Sequence, residues 1–184
     1  MLFRSLPVES GYLNLQAPLV QAADGHYAYR DRRDMHRMIL DTLVPRPGSA
    51  EPLTRKDRGH IEALFATDNS AGVAFAPSQL DTLYFRGVRE GGALVAVAGI
   101  HVVSIQEGVA GVGNVFVRSD RRGRGLAQVV LSATVAAVQH AGVRTIGLNV
   151  DVTNLAAIQA YRNLGFRTRV RYVEGMADRV VTAS

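Results

Sequence analysis

The feature that most constrains the fold is a junction in the middle of the chain, where an apolar strand meets an amphipathic helix. The apolar residues 115–117 enter a turn rich in arginine and glycine, and a helical pattern begins at Leu126. A strand that feeds a helix through glycines directs several backbone N–H groups to one place, which the helix dipole makes favourable for anions. Glycine, having no Cβ, also lets a phosphate approach the backbone. The junction therefore predicts an anion-binding loop in an α/β domain.

Length and composition predict one main domain. With 184 residues, of which 47% are apolar and 20% charged, the chain is typical of an ordinary globular protein. We assign residues 35–184 to this domain and residues 1–34 to an N-terminal extension whose structure the sequence does not indicate. No apolar run approaches the ~20 residues of a membrane span, and the first residues lack a signal-peptide pattern. We therefore expect a cytoplasmic protein without a membrane partner.

Residue usage narrows the chemistry. The chain has no cysteine, so it can form neither a thiolate metal site nor a cysteine-bound acyl intermediate. Its five histidines show no metal-ligand spacing, and we expect no metal. The net charge of +5 leaves nucleic-acid binding open, but the arginines are scattered along the chain.

The hydrophobic patterns predict a mixed sheet. Three apolar runs separated by short turns are expected to form antiparallel neighbours, and the strand after the following helix should lie parallel to the third of them. We predict an α/β fold with a mostly antiparallel sheet of six to seven strands and about four helices. The predicted strands are 35–40, 84–89, 93–103, 109–117, 144–150 and 166–173, with short ones possible at 13–15, 26–29 and 179–182; the predicted helices are 54–68, 77–83, 126–141 and 154–164.

Two common phosphate-binding motifs do not fit the glycine loop. No Gly-Lys-Ser/Thr follows it, so it is not a Walker motif. A dinucleotide fingerprint needs a third glycine, which this loop lacks. It also needs an acidic residue at the end of the next strand, and Asp151 lies too far along the sequence for that position. The helix after the next strand carries Asn154, Ala157 and Tyr161 on one face. Two helix N-termini beside adjacent parallel strands predict a ligand cleft at the carboxyl ends of those strands.

These residues resemble the GCN5-related N-acetyltransferases, the GNAT superfamily. Arg122-x-x-Gly125-x-Ala127 is similar to the Gln/Arg-x-x-Gly-x-Gly/Ala motif of that family, and the run from Leu148 to Phe166 is similar to its second signature. The resemblance extends over residues 35–175. Ser119 and Arg121 depart from the family's usual proline and aromatic residue, both peripheral to phosphate binding.

The resemblance implies a site for acetyl-CoA. The two parallel strands would splay apart, leaving backbone groups free to pair with the pantetheine arm. A backbone N–H near Val117 would polarise the thioester carbonyl. The implied contacts of the pyrophosphate are Arg122, Gly123, Arg124, Gly125, Leu126 and Ala127; those of the rest of the cofactor are Phe116, Val117, Arg118, Asn154, Ala157 and Tyr161.

The resemblance also implies roles in proton transfer. Tyr161 occupies the position of the family's general acid, which protonates the leaving thiolate. Two residues are candidates for the general base. Glu107 lies in the turn before the third of the predicted antiparallel strands, and His101 lies on the strand before that turn. For His101 the favoured interpretation is a histidine satisfied within the sheet, and for Asp151 it is a helix cap and not a base.

The implied activity is transfer of an acetyl group from acetyl-CoA to a primary amine of a small molecule or peptide, by direct attack in a ternary complex. A non-catalytic acyl-CoA sensor is the main alternative, and a nucleic-acid-binding domain is a weaker one. The acceptor pocket is expected from residues 44–83 and the termini, with Phe75, Tyr84 and Phe85 as candidates, although a core role is the favoured interpretation of each. A homodimer through the last strands is a further possibility that the family suggests.

Overall fold

The computed structural model of the chain describes residues 9–68, 72 and 74–180. These residues form nine strands, four α-helices and three 3-10 helices. The strands are β1 (Ser10–Gln16), β2 (Tyr27–Tyr29), β3 (Arg33–Leu40), β4 (Glu51–Pro52), β5 (Arg86–Glu90), β6 (Ala93–Ser104), β7 (Val109–Val117), β8 (Thr145–Asp151) and β9 (Phe166–Arg179). The α-helices are α1 (Ala17–Ala23), α2 (Arg58–Phe65), α3 (Leu126–His140) and α4 (Leu155–Asn163), and the 3-10 helices are Arg55–Asp57, Pro77–Thr82 and Ser119–Arg121.

The chain divides into two compact units, each built from separate stretches of sequence. The smaller unit takes the described parts of Met1–Met38, Asn149–Leu155 and Thr168–Ser184. The larger unit takes Ile39–Leu148 and Ala156–Arg167. Strands β3, β8 and β9 contribute residues to both. The predicted boundary between an extension and a main domain at residue 34 stays a prediction.

In the larger unit the strands follow the order β8-β7-β6-β5-β4. The pairs β4–β5, β5–β6 and β6–β7 are antiparallel, as expected for strands joined by short turns. The pair β7–β8 is parallel, from Val109 opposite Thr145 to Val112 opposite Leu148. The predicted meander and its parallel neighbour are therefore confirmed.

Helix α3 packs against β5, β6 and β7 through a different face from the predicted one. The i, i+3, i+4, i+7 and i+11 spacing in the sequence predicts a buried stripe on Leu126, Val129, Val130, Ala133 and Ala137. The buried side chains are instead Val130, Leu131, Ser132, Thr134, Val135 and Val138. Val129 lies instead against Gly48, where a Cβ would overlap its side chain. The buried Ser132 hydroxyl accepts a hydrogen bond from the Arg46 N–H at 3.0 Å. The helix is thus rotated because the segment before β4 packs against it.

A second layer of the larger unit is an apolar cluster around α2. Its buried members are Leu53, Ile61, Leu64, Phe65, Leu80, Phe85, Leu94 and Val97, with Phe75 and Phe116 packed against them. Phe85 lies over Gly99 of β6, where a Cβ would overlap its ring. Burial of these side chains holds α2 and the 3-10 helix Pro77–Thr82 in place.

The smaller unit is built around β9. Strands β1 and β2 pair with it antiparallel, and β3 lies on its other edge. Helix α1 completes a small core of Leu15, Val20, Ala23, Tyr27, Val173 and Ala177. Both edges of β9 are thus paired within the chain. A homodimer through the last strands stays a prediction.

The predicted mixed, mostly antiparallel α/β fold is confirmed. The described residues form more strands than the predicted six to seven, because β1 and β4 lie at the two ends of the strand order and β2 pairs with β9 outside that order. β1 and β2 fall on the short strands given as possible at 13–15 and 26–29. Helix α1 was not predicted; it has only seven residues and a proline in its first turn. β9 runs to Arg179 as one strand, and residues 181–182 of the predicted last strand lie outside the described residues. Within the described part of the chain, no helix is long and apolar enough to cross a membrane.

Candidate active site

Strand β7 has an open edge in the larger unit. Its parallel pairing with β8 ends at Val112, opposite Leu148, although β7 continues to Val117. We call residues 113–117 the open edge. The predicted splay of the parallel pair is therefore present, and it leaves backbone N–H and C=O groups available for another extended molecule.

A bulge in β7 accompanies this divergence. Gly113 lies opposite Gly99, and Phe116 lies opposite Val97, so β7 has one more residue than β6 between these pairs. The extra length is absorbed at Asn114, whose φ of 52° is in the left-handed region that asparagine tolerates better than most residues. Such a bulge bends the strand. The bulge was not predicted from the sequence, although an asparagine inside a valine- and glycine-rich strand is a signal for one.

The direction of one amide on the open edge follows from its neighbour. The Arg118 N–H donates to the Val95 oxygen of β6 at 2.9 Å. Because successive N–H groups of a strand point to opposite edges, the Val117 N–H points away from β6. It therefore lies on the side of β7 that β8 leaves uncovered.

The glycine loop presents a row of backbone donors. Gly123 and Gly125 have φ values of 78° and 77°, which only glycine adopts without strain. The Arg122 N–H donates to Ser119, and the Gln128 N–H donates to Gly125. Between them, in the described part of the chain, the amides of residues 123–127 have no protein acceptor. They lie at the N-terminus of the 15-residue helix α3, whose dipole adds to their partial positive charge.

The arginines around the loop are paired with carboxylates. Arg118 contacts Asp120 at 2.6 Å, and Arg121 contacts Glu90 at 2.6 Å. Arg124 is 4.0 Å from Glu90. The sequence predicts that Arg122 and Arg124 add positive charge to the loop, but each has an acid beside it, Asp68 at 3.0 Å from Arg122 and Glu90 at 4.0 Å from Arg124. The backbone amides are therefore the main candidate donors for an anion.

Arg122 braces the loop against the end of β7. Its Nε donates to the Val117 oxygen at 3.1 Å, and its Nη2 donates to the Asp68 carboxylate at 3.0 Å. Its guanidinium carbon lies 5.7 Å from the centre of the Phe116 ring. These three contacts fix the direction in which the loop leaves the strand.

Tyr161 of α4 is a buried phenol. Only 9% of the residue is exposed, and burial raises the pKa of Tyr161 to about 12. Its ring meets Phe166 edge to face, with the ring centres 6.2 Å apart. The hydroxyl therefore stays protonated at neutral pH, as a proton donor must. Ala157, one turn earlier in α4, is also part of the larger unit.

Asn154 belongs to the smaller unit, in the turn after β8. Its N–H donates to the Asp151 oxygen at 3.0 Å. The Asp151 carboxylate accepts from the side chain and the backbone of Thr153, and these hydrogen bonds hold its pKa below the usual range. Asp151 thus shapes the turn before α4. Thr153 lies outside that helix, so helix capping by Asp151 stays a prediction.

The two candidate bases lie in different surroundings. His101 has no partner residue in the β6–β7 register, because Ile100 pairs with Val112 and Val102 pairs with Gly111. Its exposed imidazole lies over Gly113, at the start of the open edge. Glu107 is exposed in the turn between the two strands, where its N–H donates to the Ser104 hydroxyl at 3.2 Å. In the part of the chain that the structure describes, no three acidic or histidine side chains gather as metal ligands.

The candidate acceptor-pocket aromatics differ in burial. Phe85 is completely buried, so the core interpretation is correct for it. Phe75 and Tyr84 are partly exposed. The Phe75 ring contacts Phe65 at 5.5 Å, and Phe65 contacts Phe116 of β7 at 5.8 Å, between ring centres. An aromatic chain thus connects the segment after α2 to the open edge.

The stretch of sequence that contains the open edge, the glycine loop and helix α3 matches a known family. A model of the acetyltransferase (GNAT) family matches residues 53–166, more than half of the chain. The chain belongs to the GNAT acetyltransferase family. This confirms the resemblance that the two motifs indicated.

Individual GNAT proteins resemble the chain to different extents. GCN5-related N-acetyltransferase 4, chloroplastic, of Arabidopsis thaliana is 38% identical over 68 residues, which cover 37% of this chain and 23% of that protein. A GNAT structure from Novosphingobium aromaticivorans is 25% identical, with a TM-score of 0.73 over 98% of this chain and 79% of that one. The ribosomal-protein-S18-alanine N-acetyltransferase of Escherichia coli shares the fold at 20% identity, with a TM-score of 0.54 over 74% of this chain and 96% of that one.

Proposed function

We propose that this GNAT protein transfers an acetyl group from acetyl-CoA to a primary amine of a small molecule or peptide. The observation that carries the proposal is the row of amides at residues 123–127, at the N-terminus of α3 and next to the open edge of β7. A pyrophosphate needs several donors in one place, and this row supplies them, with no competing acceptor among the described residues. Residues 122–127 would bind the pyrophosphate of the cofactor.

The open edge would bind the pantetheine arm. An arm that leaves the loop and pairs with residues 116–118 would run along β7 toward Gly113, carrying the thioester with it. The Val117 N–H points to this side of the strand and would stabilise the oxyanion that forms at the thioester carbonyl. Ala157, which belongs to the same unit as β7, would contact the arm, as the family resemblance implies. The implied contact of Asn154 stays a prediction.

Tyr161 would act as the general acid. When the amine attacks the thioester carbon, the C–S bond breaks and the coenzyme leaves as a thiolate, which takes a proton from the phenol. The raised pKa keeps that proton on Tyr161 until the thiolate forms. The amine gives up its own proton to a base.

Of the two candidate bases, His101 has the better support. Its imidazole lies over Gly113, at the end of the open edge toward which the arm would run. Glu107 lies beyond the paired part of β7, in the turn that precedes Val109. We therefore propose that His101 accepts the proton of the attacking amine, directly or through water.

The test is acetyl-CoA binding and turnover by the purified chain. Isothermal titration should show binding of acetyl-CoA, and a panel of primary amines should include one that releases free coenzyme A thiol. Binding without thiol release for any amine would favour the acyl-CoA sensor instead. Absence of acetyl-CoA binding, together with salt-sensitive RNA or DNA binding, would favour the nucleic-acid alternative.

A further inference from the structure

A side-chain hydrogen bond connects the bulge of β7 to the segment after α2. The Asn114 Nδ2 donates to the Gln79 Oε1 at 2.9 Å, and the pair is partly buried. Asn114 is the residue of β7 with a left-handed backbone, so its side chain leaves the strand in a direction that a regular residue would not give.

The Gln79 amide also organises its own segment, residues 74–82. Its Oε1 accepts a second hydrogen bond from the Ala76 N–H at 3.2 Å, and its Nε2 donates to the Ala74 oxygen at 3.2 Å. These contacts close the turn that leads into the 3-10 helix Pro77–Thr82. One amide therefore sets both the shape of segment 74–82 and its attachment to β7.

The attachment point lies beside the proposed reacting groups. Asn114 follows Gly113, over which the His101 imidazole lies, and it precedes the rest of the open edge. Phe75, in the same segment, packs against Phe65 and Phe85, with ring centres 5.5 and 5.9 Å apart. Segment 74–82 is thus held next to the open edge by a polar contact at Gln79 and by aromatic contacts at Phe75.

We propose that Gln79 and Asn114 are positioning residues that hold segment 74–82 as a wall of the amine-acceptor site. This inference rests on the acetyl-transfer function proposed above. Gln79 lies outside the amide row, α4 and the open edge. Asn114 lies in the open edge, but it bonds Gln79 through its side chain, and the proposed backbone partners of the pantetheine arm are residues 116–118. Loss of this side-chain hydrogen bond should therefore loosen the binding of the amine and leave the binding of acetyl-CoA unchanged.

The test compares Gln79→Ala and Asn114→Gly with Gln79→Glu. Glycine accepts the left-handed backbone of Asn114 but lacks the amide, and glutamate at position 79 keeps an oxygen that can accept from Asn114. Gln139→Ala, an exposed residue of α3, is the matched control. The measurements are the KM of the amine that the wild-type chain acetylates, kcat, and the dissociation constant of acetyl-CoA.

We expect Gln79→Ala and Asn114→Gly each to raise the amine KM by about three- to tenfold, the usual effect of one neutral hydrogen bond. The double variant should be no worse than either single one, because both remove the same contact. Gln79→Glu keeps the acceptor for Asn114 but loses the donor to the Ala74 oxygen, so its effect should lie between wild type and Gln79→Ala. Gln139→Ala should stay close to wild type.

Two outcomes contradict the inference in different ways. Unchanged amine KM in both single variants, or a loss of acetyl-CoA affinity equal to the loss of amine binding, would overturn the positioning role alone. A wild-type chain that binds acetyl-CoA but acetylates no amine would overturn the proposed function and this inference with it.

Discussion

The imidazole of His101 covers the α-carbon of Gly113 on the neighbouring strand, so closely that a Cβ at Gly113 would overlap the ring. A methyl group there must push the imidazole away from the open edge. If His101 is the base, Gly113→Ala should lower kcat/KM at neutral pH by about 10²-fold, as should His101→Ala. Gly111→Ala is the control, since its Cβ would meet only the Val102 side chain, at 3.0 Å.

The same assay tests Glu107, the other candidate base, which should matter little if His101 is the base. Glu107 is exposed in the β6–β7 turn, and the expected effect of Glu107→Gln on turnover is less than twofold. The same thiol-release assay compares all four variants. A large loss in Glu107→Gln, with Gly113→Ala and His101→Ala both active, would transfer the role of base to Glu107.

Gly125 is the N-cap of α3 and has a φ of 77°, so alanine there must adopt a strained backbone or distort the loop. The strain costs about 1–2 kcal/mol. We expect Gly125→Ala to weaken acetyl-CoA binding about tenfold in isothermal titration. Gly142→Ala, at the other end of α3 with a φ of 96°, carries similar strain without touching the amide row. Equal binding by these two variants would argue against the loop as the pyrophosphate site.

Much of the larger unit could be predicted because its signals are local. Strand alternation with glycine turns predicted β5, β6 and β7, and the periodicity after Leu126 predicted α3. The orientation of α3 could not be read in the same way, because Gly48, far away in sequence, packs against Val129 and turns the helix. Weakly patterned short elements such as α1 also escaped prediction.

The candidate site also combines features that the sequence predicts with contacts that it does not predict. Its loop and its tyrosine carry recognisable spacing, whereas the contacts that shape it are long-range. The pairing of Arg122 with Asp68 joins residues 54 positions apart, and the pairing of Asn114 with Gln79 joins residues 35 positions apart. No local pattern in the sequence indicates that such residues meet.

The phenol of Tyr161 is the proposed general acid, and phenylalanine preserves its ring while removing the proton. We expect Tyr161→Phe to lower kcat by about 10²-fold, with acetyl-CoA affinity changed less than threefold. Tyr172→Phe is the matched control, because this tyrosine is also buried but donates to Glu174 in the smaller unit. Single-turnover thiol release checks the chemical step, and a Tyr161→Phe variant with wild-type turnover would remove Tyr161 from the mechanism.

The same burial makes a prediction about stability at alkaline pH. The pKa of Tyr161 is about 12 in the folded chain and about 10 in an unfolded one, so the folded state holds its proton more tightly. Below pH 10 both states are protonated and the stabilising effect is complete. Above pH 10 the unfolded chain ionises first, so stability is lost as the pH rises towards 12. At pH 11 this loss amounts to about 1.4 kcal/mol.

Tyr161→Phe cannot ionise at this position and should escape that loss. The check is urea unfolding of both proteins at pH 7, 9 and 11. Between pH 7 and 9 the two free energies of unfolding should change in parallel, and between pH 9 and 11 the wild-type value should fall by about 1.4 kcal/mol more than that of the variant. A parallel fall over the whole range would mean that the phenol is hydrated in the folded chain and that burial does not raise its pKa.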